Sequence, residues 1–101
     1  MKKGNRAELK MKKVLRAGDV LNTGTYACEV LQMKEEEEVL YLVLKSGELS
    51  ELSLDCIYQC TVKMDDSDMV CTGRIKERFR GTEGKTLKLQ IENGFYKITI
   101  K

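Results

Sequence analysis

From residue 18 onward, apolar and polar residues alternate with a period of two, broken by turn-forming residues, as in strands that bury one face. Thr25 to Met33 (TYACEVLQM) sets Tyr26, Cys28 and Val30 against Ala27, Glu29 and Leu31. Val39 to Leu44 (VLYLVL) is apolar at both alternating sets of positions, which predicts a strand covered on both sides. Ser46-Gly47-Glu48 then turns the chain, and Leu49, Leu52 and Leu54 lead into Ile57 to Met64, where Tyr58, Cys60, Val62 and Met64 share a face. Asp65-Asp66-Ser67-Asp68 is a polar turn of residues that bond their own backbone.

Met69 to Phe79 (MVCTGRIKERF) places Met69, Cys71, Gly73, Ile75 and Phe79 on one side, interrupted only by Glu77. Val70, Thr72, Arg74, Lys76 and Arg78 fall on the other side. Arg80 to Gly84 (RGTEG) predicts a five-residue hairpin loop, after which Leu87, Leu89 and Ile91 alternate with Lys88, Gln90 and Glu92. Asn93-Gly94 predicts a two-residue type I′ hairpin, with Phe95 to Lys101 as the last strand. Six to seven short strands and no internal helix predict an all-β fold, a small antiparallel barrel or sandwich. Proline is absent, so no edge strand is blunted by it, and barrel closure is the expected protection.

Charge changes the picture at the N-terminus. The 101 residues carry a net charge of only +2. Yet residues 1 to 16 hold Lys2, Lys3, Arg6, Lys10, Lys12, Lys13 and Arg16 against Glu8 alone. This predicts a basic N-terminal arm over residues 1–13, preceding a single barrel domain over 14–101. The arm is expected to be solvated and disordered or a short helix, since Asn5-Arg6-Ala7-Glu8 has the form of a capping box and Leu9, Met11, Val14 and Leu15 supply an apolar side. Glu35-Glu36-Glu37-Glu38 reads as a solvated turn rather than a calcium loop, because it neither alternates its ligands nor contains glycine. No apolar run approaches the length of a membrane span. No apolar stretch follows Met1-Lys2-Lys3-Gly4, so a secretory leader is not expected and the location is expected to be cytoplasmic.

Candidate chemistry is sparse. With no histidine, His-based triads, bases and metal ligands are excluded. Cys28, Cys56, Cys60 and Cys71 contain no C-x2-C pair, and only Cys56-x3-Cys60 loosely fits a zinc knuckle. Their strand positions favour reduced core thiols, with a four-thiolate metal site and disulfides as the alternatives. No phosphate-binding glycine loop and no acid/base pair is present, so neither enzymatic activity nor a cofactor is expected. The best binding candidate is a basic strand face. Arg74, Lys76 and Arg78, spaced by two, are expected to project together, with Arg80, Lys85 and Lys88 nearby and Phe79 between two arginines. Basic groups beside an aromatic are how small barrels hold single-stranded nucleic acid, which makes nucleic acid, held by this face together with the basic N-terminal arm, the alternative partner.

The layout resembles the PilZ-N domain, the flagellar-brake-like module that precedes PilZ domains in bacterial cyclic di-GMP receptors. The resemblance spans residues ~14 to 100. It is carried by Leu15-Arg16-Ala17-Gly18-Asp19 before the first strand, Tyr26-Ala27-Cys28-Glu29-Val30, the VLYLVL strand, and the polar turn before Cys71-Thr72-Gly73-Arg74-Ile75. It implies a split β-barrel that acts through contacts with other domains or proteins, without catalysis and linked to motility or cyclic di-nucleotide signalling. In that family the nucleotide is held by the following PilZ domain, through R-x-x-x-R and then D/N-x-S-x-x-G. Arg74-Ile75-Lys76-Glu77-Arg78 matches the first element and nothing matches the second, so this chain alone is not expected to bind cyclic di-GMP.

Overall fold

The computed structural model describes residues 1–18, 21 and 24–99. Asp19 of the first motif and residues 100–101 of the expected last strand lie outside the described residues. Strands β1 (Arg6–Val14), β2 (Thr25–Lys34), β3 (Val39–Leu44), β4 (Cys56–Lys63), β5 (Ser67–Gly81) and β6 (Gly84–Thr99) form one closed antiparallel barrel in the order β1-β2-β3-β6-β5-β4. The all-β barrel read from the sequence is therefore the fold, with six strands. Closure pairs the backbone groups an open edge would leave exposed, which suits a chain without proline.

The first strand is where the expectation fails. The basic arm expected over residues 1–13 is barrel from Arg6 onward, and no helix or free arm forms there. Within the run of lysines, Ala7, Leu9 and Met11 recur at period two, and all three are buried. Leu9 pairs with Tyr26 of β2 on one side and with Cys60 of β4 on the other, so β1 joins the two halves of the sheet. The domain boundary at residue 14 moves to the start of β1 accordingly.

The second failure is at Asn93-Gly94. No turn forms, and β6 continues through both residues, with a register shift against β5 on either side of Asn93, which stands opposite Thr72. A hairpin there would fold residues 95–99 back on 87–91, whose two edges already carry β3 and β5. Gly94 also lacks the positive φ that a type I′ turn demands of both central residues. The loop over 80–84 is tighter than expected: Arg80 pairs with Lys85 and Gly81 with Gly84, leaving Thr82-Glu83 as a two-residue turn.

Successive strands are neighbours except β3 and β4, which lie on opposite sides of the ring. Residues 45–55 must therefore cross one end of the barrel. Leu52 in this crossover is fully buried and plugs that end, after a 3₁₀ turn at Leu49–Glu51 closed by reciprocal bonds between Glu48 and Glu51. The β1–β2 connection lies at the same end. The β2–β3 and β4–β5 turns lie at the other, since strand direction alternates around the ring. Inside, Leu9, Leu40, Leu42, Tyr58, Val62, Leu87 and Leu89 fill the core with essentially no exposed surface.

Candidate functional site

The expected basic face does not exist as one face. β5 and β6 slip register between Ile75 and Glu77, so Lys76 is an extra residue, a β-bulge. Arg74, opposite Gln90, and Arg78, opposite Leu87, consequently lie on opposite faces of the sheet. Arg74 is half-buried on the outside, and its Nε has no hydrogen-bond partner among the described residues. Arg78 is committed elsewhere: its Nη1 donates to the carbonyl oxygens of Leu49, at 3.0 Å, and Leu52. It fastens the crossover to β5. Lys76 and Arg80 are exposed, and Lys88 sits opposite Glu77.

Phe79 is flipped by the same bulge. It stands opposite Thr86 and is 41% exposed, whereas the alternation had placed it with Ile75. The tip of the β5–β6 hairpin lies against the outer faces of β2 and β3, where a cleft of about 250 Å³ opens between Phe79, Thr82 and Glu83 and Leu31, Gln32 and Tyr41. An ion pair of 2.6 Å between Lys3 Nζ and Glu83 Oε1 ties that tip to the N-terminal segment. The hydrogen bond and the charge of Lys3 hold the Glu83 carboxyl below its ordinary range. Phe79 and the arginines do not share a concave surface.

The four cysteines are free thiols, all buried. Cys60 and Cys71 are directly opposed on β4 and β5. The Cys60 thiol is driven well upward by its hydrogen bond with Cys71, then by burial. Burial pushes the Cys28 thiol from 9.0 up to about 12. Both shifts favour the protonated thiol at Cys28 and Cys60, which lowers their reactivity. Among the described residues no group of three or more cysteines or carboxylates is arranged to hold a metal ion. A second, larger depression of about 390 Å³ lies over β1 and β2; of the charges lining it, Lys45 pairs with Glu29 and Lys63 with Glu8, which leaves Arg6 without an ion pair among the described residues. Lys63 also bonds Asp68, which raises its pKa above the ordinary value.

A surface missed by sequence reasoning lies at the crossover end. The backbone N–H of Leu15 donates to the carbonyl of Asp55 at 2.9 Å, which brings the end of β1 against the end of the crossover. Leu15 and Leu54 are left exposed there, at 42% and 40%, and Leu21 of the same β1–β2 connection is also exposed. β1 is bulged between Met11 and Lys13, so both Lys12 and Lys13 stand in solvent beside this apolar patch, with Lys10 one turn of the pleat below. None of these three lysines has an ion pair among the described residues. By contrast, the described carboxylates of the crossover are all engaged: Glu48 with Lys85, Glu51 with the Tyr26 hydroxyl and the Glu48 N–H, Asp55 with Arg16. The patch is apolar with an unneutralised positive rim.

No family model, curated protein or solved structure matches this chain. Among the described residues, no helix is long and apolar enough to cross a membrane.

Proposed function

We propose that this chain is a non-catalytic protein-interaction module that docks through the crossover end of its barrel onto a partner segment bearing carboxylates and apolar side chains. The observation that carries this reading is the juxtaposition of exposed Leu15 and Leu54 with unpaired Lys12 and Lys13. Exposed leucines clustered beside uncompensated charge mark contact surfaces rather than ordinary solvated faces. The free thiols favour a reducing, cytoplasmic setting. The resemblance to PilZ-N modules supports a docking role and names a first partner to try, a cyclic di-nucleotide receptor domain or a motility component. Cyclic di-GMP itself is not the ligand in this reading, because Arg74 and Arg78 diverge and Arg78 is occupied. The nucleic-acid alternative has less support, since of its two parts the strand face divides at the bulge, Arg74 from Arg78, and the N-terminal arm is part of the barrel from Arg6 onward, with Lys10, Lys12 and Lys13 still exposed on β1.

Fluorescence anisotropy with a labelled amphipathic peptide of Glu and Leu tests the reading. At about 50 mM salt, where surface charges act over roughly 14 Å, the peptide binds, and Lys12→Glu/Lys13→Glu weakens it by about tenfold or more. Arg80→Glu leaves binding unchanged. Tighter binding of a labelled single-stranded oligonucleotide than of the peptide overturns the proposal in favour of nucleic acid.

A further inference from the structure

The two ends of the barrel differ in the charges they leave unpaired, although β1 starts from the end away from the crossover and brings exposed Lys2 and Arg6 toward that end. The end away from the crossover carries the β2–β3 turn, Glu35 to Glu38, and the β4–β5 turn with Asp65 and Asp66. These turns face each other across the ring, because β3 and β4 lie on opposite sides of it. Lys34 is within 3.8 Å of Glu37 and Lys63 within 3.1 Å of Asp68, but Glu35, Glu36, Glu38, Asp65 and Asp66 have no ion pair among the described residues. Between the turns the core is incompletely closed: Met33, Met64, Met69 and Phe95 pack on it while remaining only half-buried. This end is thus a methionine-rich apolar mouth flanked by acidic turns, and unbranched methionine side chains adapt readily to an apolar partner.

The acidic mouth has the chemistry that the crossover end lacks, and the reverse. Free Lys10, Lys12 and Lys13 face free carboxylates, and exposed Leu15 and Leu54 face half-buried methionines. We propose that the occupant of the crossover end is the acidic end of a second copy of this chain, so that barrels associate head to tail. The inference rests on the docking role proposed above and names the partner. A contact between two different patches is heterologous. It does not close a pair but continues into rings or chains, and leaves each end available to be capped by another protein. Charge complementarity of this kind aligns the partners and makes association sensitive to salt.

Sedimentation velocity on the full chain tests it. Weight-average mass is expected to rise with concentration at about 50 mM salt and to fall to the monomer at about 1 M, where the Debye length is about 3 Å. Lys12→Glu/Lys13→Glu reverses one end and Glu36→Lys/Asp65→Lys the other; all four positions are exposed, and circular dichroism verifies each fold. Each double variant alone is expected to be monomeric, and an equimolar mixture to associate, because each then supplies the sign the other lacks. A wild-type chain that stays monomeric at every concentration at low salt overturns the inference, as does a mixture that fails to associate. If the monomeric chain still binds the acidic peptide through Lys12 and Lys13, only self-association has failed. If it binds neither, the docking reading falls too.

Discussion

Gly73 shows how tightly single residues are specified in this barrel. A methyl group on its Cα would sit 2.2 Å from the carbonyl oxygen of Gln90 on β6, a backbone atom that cannot swing aside. The site is therefore a close approach of two strands at a register shift, and Gly73→Ala is expected to destabilise the protein by about 3 kcal/mol in denaturant unfolding. Arg78 is a second such residue. Losing its two bonds to the crossover carbonyls should cost about 1–2 kcal/mol in Arg78→Ala, whereas Arg80→Ala changes stability little. The buried ionisable groups set a pH limit. Cys28 moves from 9.0 to about 12 and Tyr58 from 10.0 to about 12, each chiefly through burial. Both are neutral when protonated and are held protonated by the fold. Their contribution is therefore complete below about pH 9 and is lost as pH rises towards 12. Melting temperatures measured across that range should fall steadily, while those between pH 7 and 8.5 stay level.

At the scale of elements, what was legible depended on whether one strand could be read without its neighbours. The inward sets Tyr26, Cys28, Val30 and Tyr58, Cys60, Val62 are buried as their alternation demands, because each strand keeps its register along that stretch. β5 breaks the rule, and the sign of it was in the sequence. Glu77 stood alone on an otherwise apolar side, and the bulge at Lys76 turns that carboxylate outward while swinging Arg78 towards the core side. A charge on a buried face is the mark of a register shift. The candidate face of Arg74, Lys76 and Arg78 failed for that reason. Asn93-Gly94 misled because turn preference is local, whereas the occupancy of both edges of β6 is a property of the whole sheet. β1 was hidden by its charges: seven basic residues in sixteen suggested a solvated arm, yet Ala7, Leu9 and Met11 alternate beneath them. Deleting residues 1–13 should therefore abolish cooperative unfolding, leaving a chain without near-ultraviolet circular dichroism. A cleavable arm would leave it intact. The crossover patch could not be read at all, since the segments that carry Leu15 and Leu54 are brought side by side only by the pairing of β1 with β4.

On the scale of the whole molecule, a net charge of +2 conceals unpaired lysines at the crossover end and unpaired carboxylates in the turns at the other. Its interior is packed with shielded thiols and aliphatic side chains, and four of the five charges lining the depression over β1 and β2 are paired with one another. What distinguishes the surface is the crossover end, with Lys12, Lys13, Leu15 and Leu54 together. Amide chemical-shift mapping with the Glu/Leu peptide tests this most directly. It is best done in a Glu36→Gln/Asp65→Asn variant, whose acidic rim is weakened so that copies do not compete for the site. The expected result is a contiguous set of shifts at Lys12, Lys13, Leu15, Arg16 and Leu54, disappearing with Lys12→Glu/Lys13→Glu. Shifts confined to the cleft between Phe79 and Tyr41, or none at the crossover end, would contradict the account.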